Sequence, residues 1–445
     1  MQFSSYLQYY KQIARLGLPI VVGQAGMIIV GFADNIMVGR YTTEALSSAS
    51  FVNNLFNMAS LACMGFTYGI TPLAGALFAR GEEEKIGSTM RNALLINVVY
   101  TLLITAVMTA IYFNLDLLGQ PAELMPLIKP YYVLYLCGLL PMTLYNIWAQ
   151  CSYGMRGTQM PMWIILGANL LNVCGNYLLI YGKFGCPELG LFGAGLATLG
   201  ARVFTAVVII AIFMTRRRYA RVRAGFRSAS PSRGSLVLLG RTSLPVSLQL
   251  LFETAAFSGA AIFVGWLGAI ELAAFQVMVI IGTLGFCFYY SLGSATSVLV
   301  ANAAGRGDRH AMRRIGFAGY HLTLLMALMA SLAFIFFGRT FIEIFTPDPA
   351  VIAVALGLIP PLICYQLGDA TQVNFANALR GTSKVMPMLW IAFVSYVCVG
   401  LPSTWLIGIR LGFGIVGIFY SFSVSLFLAG WLFLTFFMKY TRYRE

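Results

Sequence analysis

The chain has 445 residues, of which 59% are hydrophobic and only 10% charged, and its mean hydropathy is +0.80. A soluble globular chain is about one quarter charged, so these figures exclude that class and indicate a protein built mostly from membrane-spanning segments. The net charge of +14 does not signal nucleic acid, because the basic residues occupy short loops between apolar runs, where they meet anionic headgroups and set topology.

Residues 1–15 (MQFSSYLQYYKQIAR) are polar and basic and lead directly into a full-length apolar span, so no cleavable signal peptide is expected. Apolar runs separated by polar breaks then predict twelve helices, at 12–38, 46–79, 88–114, 122–151, 159–181, 190–215, 236–267, 271–303, 311–338, 348–379, 385–409 and 412–438. Several exceed the roughly 20 residues that cross a bilayer, which implies tilt or projection beyond the hydrocarbon. Pro19, Pro72, Pro141, Pro245 and Pro402 interrupt spans, as bent membrane helices allow.

The longest hydrophilic stretch, RRRYARVRAGFRSASPSRG at 216–234, separates six helices from six. It reads as a cytoplasmic linker lying on anionic lipid rather than a docking segment for a partner. The expected organisation is an N-terminal six-helix lobe (1–215), a basic cytoplasmic linker (216–235) and a C-terminal six-helix lobe (236–445). Lys and Arg set the orientation. With both termini cytoplasmic, inside segments hold 23 of them, Arg444 included, and outside segments hold 5; Arg202 falls within the sixth span.

The halves repeat. At an offset of 226 residues, Leu18-Pro19 meets Leu244-Pro245, Gly39 meets Gly265, Leu46 meets Leu272, and Arg80-Gly81-Glu82 meets Arg306-Gly307-Asp308. Arg156-Gly157-Thr158 matches Arg380-Gly381-Thr382 at an offset of 224. Six spans per half is an even number, so both halves enter the membrane in the same direction. The expected fold is an all-α polytopic membrane protein with twelve transmembrane helices in two pseudo-twofold-related six-helix lobes and a cavity between them.

Of the fifteen acids, twelve, including Glu445, fall in loops or at helix ends. Asp34, Glu253 and Asp369 remain inside spans, with no basic residue within a helix turn of any of them. A carboxylate at bilayer depth costs about 2.5–3.5 kcal/mol on insertion scales, so such a group usually faces a cavity, a proton path or an ion path. Glu253 lies more than two turns from either end of its span, too deep to be a helix-end acid snorkelling to the interface. Each of the three can exchange a proton or bind a monovalent metal ion. Tyr365 precedes Asp369 by four residues on the same helical face. Gln366, Gln372 and Asn374 add polarity to the same helix, and Asn172 and Asn176 sit one turn apart in the first half, where they can also act simply as helix glue. Eight cysteines without a C-x-x-C pair, and two histidines at or near a loop, offer neither a metal centre nor a catalytic group.

Along nearly its whole length the chain resembles the multidrug and toxic-compound extrusion (MATE) family, in its bacterial NorM-type branch. The residues that carry the resemblance are GFADNIMVG (31–39), LPVSLQLLFET (244–254), YQLGDATQ (365–372), NVCGNYLLIYGKFG (172–185) and the two R-G-T loops. The resemblance implies two six-helix lobes and antiport of Na+ or H+ against amphipathic, often cationic organic compounds, with no resident cofactor and no enzymatic activity. It places the chain in a bacterial cytoplasmic membrane as a monomer among lipids. Glu253, Tyr365 and Asp369 match the family's second-lobe cation site, able to hold Na+, while Asp34, Asn172, Asn176 and Thr198 match its first-lobe polar cluster. The presence of both second-lobe acids argues against the branch that lacks them. Phe275 stands where relatives often carry His, which favours sodium there over a proton. The alternative, a flippase of a lipid-linked precursor with related architecture, would want a basic cavity for pyrophosphate, and Arg202 is the only intramembrane base.

Overall fold

The structure, a computed structural model, describes residues 2–442; Arg444 and Glu445 lie outside the described residues. Every regular element among the described residues is helical. The first half contains α1 (Gln2–Tyr41), α2 (Thr43–Thr67), α3 (Ile70–Ala79), α4 (Glu83–Phe113), α5 (Met125–Gly154), α6 (Gln159–Tyr181), α7 (Gly190–Thr215) and the short α8 (Ala220–Ser228). The second contains α9 (Arg233–Leu267), α10 (Ala269–Gly305), α11 (Arg309–Phe345), α12 (Pro349–Gly357), α13 (Ile359–Gly381), α14 (Met386–Arg410) and α15 (Gly414–Tyr440).

Among the described residues, eleven spans are long and apolar enough to cross a membrane, α2 and α3 forming one of them. The twelfth is the pair α12–α13, bent by 50° at Leu358. Side-chain caps start several helices where the loops supply them. Thr42 Oγ1 accepts from Ala45 N at 3.0 Å for α2, Asp308 Oδ1 from Ala311 N at 2.8 Å for α11, and Asp348 Oδ1 from Ala350 N at 2.9 Å for α12. Within α14 the backbone widens into π turns at Phe393–Gly400 and Thr404–Arg410, on either side of Pro402, whose missing N–H breaks the regular ladder.

The repeat seen in the sequence extends to backbone detail. Gly81 and Gly307, the central residues of the matched R-G-acid turns, both take φ of +74°, a left-handed conformation that glycine adopts without a Cβ clash. The two R-G-T loops differ, since the residue with positive φ is Arg156 in the first and Ser383 in the second.

Contacts divide the described residues into two compact units, Val22–Ser247 and the stretches up to Val21 and from Leu248 on. The sequence suggested cuts at 215 and 235, on the two sides of the basic stretch. The observed cuts fall instead inside α1 and α9, two residues after the matched Pro19 and Pro245.

The basic stretch is also more ordered than a linker resting on lipid. Its helix α8 seats on α4 at a crossing made of two glycines. A Cβ on Gly87 would come within 1.9 Å of the Val222 carbonyl oxygen, and one on Gly225 within 1.9 Å of that of Glu84. Arg91 Nη1 donates to the carbonyls of Phe226 (3.3 Å) and Arg227 (3.1 Å) at the C-terminal end of α8. Beneath it, Trp148 and Phe213 pack with ring centroids 4.2 Å apart in the apolar core of that unit.

Candidate functional site

In the unit that contains α13 and the part of α9 from Leu248 on, Glu253 Oε2 accepts a hydrogen bond from Gln249 Nε2 at 2.8 Å, one turn earlier on α9. It accepts a second from Gln372 Nε2 at 3.4 Å, on α13. Gln372 thereby ties the helix of Glu253 to that of Asp369, which lies three residues before it. Asp369 is 2% exposed and near enough to Glu253 to feel its charge, yet its Oδ2 receives no hydrogen bond. The amide oxygen of Gln372 is buried without a donor as well. Tyr365 lies within electrostatic reach of both carboxylates, with its ring edge-on to Phe257 at 6.0 Å between centroids.

Glu253, Asp369 and Tyr365, which come from separate stretches of sequence, are therefore brought into one cluster. An acceptor left without a donor in an apolar interior costs about 1–3 kcal/mol. A site with two acids and a surplus of acceptor oxygens lacks a positive partner, and a monovalent cation or a proton is the chemical species that supplies one.

Two tyrosines of this neighbourhood escaped the sequence reading. Tyr396, on α14, is 1% exposed and within reach of both carboxylates. Tyr289, on α10, is fully buried, and its hydroxyl oxygen lies over Gly285, where a Cβ would be only 2.2 Å away. Neither has a sequence signal, because a tyrosine in an apolar run reads as packing. Gln249 did have one, since it stands one helical turn before an intramembrane acid. Phe275 is 3% exposed and packs edge-on against Phe419 at 5.6 Å, so that position offers only an apolar wall.

The other unit holds a second polar cluster. Asn176 Nδ2 donates to Asp34 Oδ1 on α1 and, at 3.3 Å, to Asn172 Oδ1 one turn away on α6. Asn172 Nδ2 donates in turn to Thr198 Oγ1 on α7 at 3.3 Å, and that hydroxyl donates to the Ala194 carbonyl at 3.0 Å. All four sequence-predicted residues thus join in one chain of hydrogen bonds that crosses three helices. The asparagines do glue helices together, and in doing so they present Asp34 to a cavity of about 550 Å³.

That volume falls in the range of about 300–1,000 Å³ typical of small-molecule sites. Asp34, Tyr131, Tyr135, Met142, Thr198 and Arg202 all line it. Asn53 and Asn57 of α2 line it too, and their four-residue spacing in FVNNLFN could have marked a polar face on an otherwise apolar helix.

The family model MatE matches residues 19–178 and 245–406, once in each half. A protein of Bradyrhizobium diazoefficiens described as "Probable multidrug resistance protein NorM" is 29% identical over 96% of this chain and 93% of its own length. The "Multidrug resistance protein MdtK" of Pectobacterium atrosepticum is 28% identical over 91% and 89%. In fold, the chain is similar to the eukaryotic MATE transporter AtDTX14, with a TM-score of 0.88 at 17% identity over 98% of each chain. It is likewise similar to the Vibrio cholerae MATE transporter VcmN, with a TM-score of 0.86 at 17% identity over 98% of each.

Proposed function

The chain belongs to the MatE family as a NorM-type multidrug efflux transporter, and from that premise we propose that it exports amphipathic, often cationic organic compounds in exchange for Na+ or H+. It is a transporter and not an enzyme. The coupling cation binds at Glu253, Asp369 and Tyr365, and Asp34, Asn172, Asn176 and Thr198 serve the organic substrate's unit. One observation carries this reading: two intramembrane acids from different helices meet through Gln372 while Asp369 Oδ2 and Gln372 Oε1 lack any donor.

Two like charges in a low-dielectric interior cannot both remain ionised unless a cation joins them. Loading and unloading that cation changes the electrostatics of the α9–α13 contact. If the loaded and empty pair stabilise different conformations, cation entry weakens substrate binding by the same factor that substrate weakens cation binding. Alternating access then follows from the two conformations, and reciprocity couples the cation to the substrate. The acceptor-rich cluster and the apolar Phe275 favour sodium. The NorM-type relatives favour a bacterial cytoplasmic membrane, and the charge count favours both termini inside.

A flippase of a lipid-linked pyrophosphate is the competing reading. It would need several bases around its headgroup site, and Arg202 is the only Lys or Arg among the residues that line the α1–α7 cavity. Efflux of a fluorescent organic cation from proteoliposomes, under a sodium gradient and a proton gradient imposed separately, tests the proposal. Coupled antiport is expected under at least one gradient. Transport that ignores both gradients would overturn it.

A further inference from the structure

The cavity of the Val22–Ser247 unit contains two opposite charges that do not neutralise each other. Asp34 on α1 is held by Asn176, as described above. Arg202 on α7 is half-buried, and among the described residues no ion pair joins it to Asp34; the ion pairs there include Lys85–Glu82, Lys129–Asp116 and Arg339–Glu343. The Arg202 guanidinium instead lies over the Tyr135 ring, 5.0 Å from its centroid, and its Nη1 is buried without a hydrogen-bond partner.

The neighbouring helix is shaped to admit this side chain. A Cβ on Gly138 of α5 would sit 2.7 Å from Nη1 and 3.1 Å from Cδ, so the glycine lets Arg202 lie against α5 without being displaced. Tyr131 and Tyr135, whose hydroxyls are 3.2 Å apart, line the same cavity, and each feels both Asp34 and Arg202. The cavity thus has an anionic pole, a cationic pole and an aromatic wall.

An arginine inside a membrane span is expensive, and one with an unused donor more so. Packing against Tyr135 alone would be met by any apolar side chain without that cost. Arginine's planar fork recognises carboxylates by paired hydrogen bonds, and a carboxylate delivered to this cavity would supply the missing acceptors.

We propose that Arg202 is an anion-recognising subsite, and that the cavity takes zwitterionic amphipaths whose carboxylate meets Arg202 while their cationic nitrogen meets Asp34. This rests on the export reading and narrows it, since a cavity with Asp34 alone would select simple cations.

The test uses the full chain in lipid nanodiscs with no gradient and two dyes that differ in a single group. Rhodamine B is zwitterionic; its ethyl ester is a permanent cation of the same shape. Binding is read by fluorescence polarisation. Wild-type protein should bind the free acid more tightly than the ester. Arg202→Gln should weaken the acid at least tenfold and change the ester less than twofold, and Arg202→Lys should restore part of the acid's affinity. Wild type that binds the ester as tightly as the acid, or Arg202→Gln that weakens both dyes equally, overturns the proposal. The wild-type comparison decides it even if Arg202→Gln does not fold. Wild type that binds neither dye overturns the cavity as an organic-ligand site. If the acid binds in an Arg202-dependent way but neither gradient drives export, the coupling reading fails and the subsite stands.

Discussion

Glu253 and Asp369 set the residue-scale expectations. Replacing either by its amide keeps the shape and removes the charge that calls for a cation. Glu253→Gln and Asp369→Asn are therefore each expected to reduce gradient-driven export to background while the protein still inserts and folds, measured as dye efflux at matched expression. A variant that pumps at the normal rate would remove the α9–α13 cluster as the coupling site. Asp34 calls for a smaller change. Asn in its place can still pair with Asn176, so the hydrogen-bonded chain across α1, α6 and α7 persists without the charge. Asp34→Asn is expected to lower export of a cationic dye severalfold at unchanged expression, and unchanged resistance would leave Asp34 as a structural polar group. These acids were legible in the sequence because charge inside an apolar run stands out whatever the tertiary structure. Tyr289, Tyr396 and Tyr135 were not, because only the packing of distant helices tells a tyrosine beside a carboxylate from one beside lipid.

The helices themselves follow from apolar run length, which is why all twelve expected spans have a counterpart. Their breaks were less legible. Pro360 and Pro361 follow the bend between α12 and α13, yet the same run reads as one continuous span because hydropathy is insensitive to a local turn. The basic stretch shows the opposite limit. Eight arginines between 216 and 241 describe a solvated, lipid-facing segment, and nothing in that composition reveals that Gly225 is what lets α8 lie on α4. The crossing leaves no space for a methyl group, since Glu84 O would be 1.9 Å from it and a backbone carbonyl cannot swing aside. Overpacking of this kind costs about 1–3 kcal/mol. Gly225→Ala is expected to lower the thermal unfolding midpoint in detergent by several degrees, or to release α8 so that protease cuts between 216 and 234. A midpoint and a cleavage pattern equal to wild type would mean that the contact contributes nothing to stability.

At the scale of the whole molecule, the duplication and the division into units coincide at two points. The repeat aligns Pro19 with Pro245 at an offset of 226, and the boundaries between units, after Val21 and after Ser247, are separated by the same 226 residues. Sequence reasoning placed the division in the most hydrophilic stretch, since domain boundaries usually fall in exposed linkers. A membrane protein need not obey that rule, because a span can contribute its two halves to different packed bodies. Here α1 and α9 do so, and each does it just beyond a proline that removes a backbone hydrogen bond and weakens the helix locally. Any change of conformation that preserves both compact units must be absorbed in α1 and α9, and the weakened turns are where bending is cheapest. Pro19→Ala combined with Pro245→Ala restores both missing donors and stiffens the two helices. The double variant should keep the gradient-free affinity of wild type for an organic cation within about twofold, since neither proline lines the cavity near Asp34. Its export rate under an imposed gradient should fall severalfold, because binding uses one conformation and transport needs at least two. Equal export with equal binding would show that the matched prolines are relics of the duplication and that bending occurs elsewhere, with the π turns around Pro402 the next place to look.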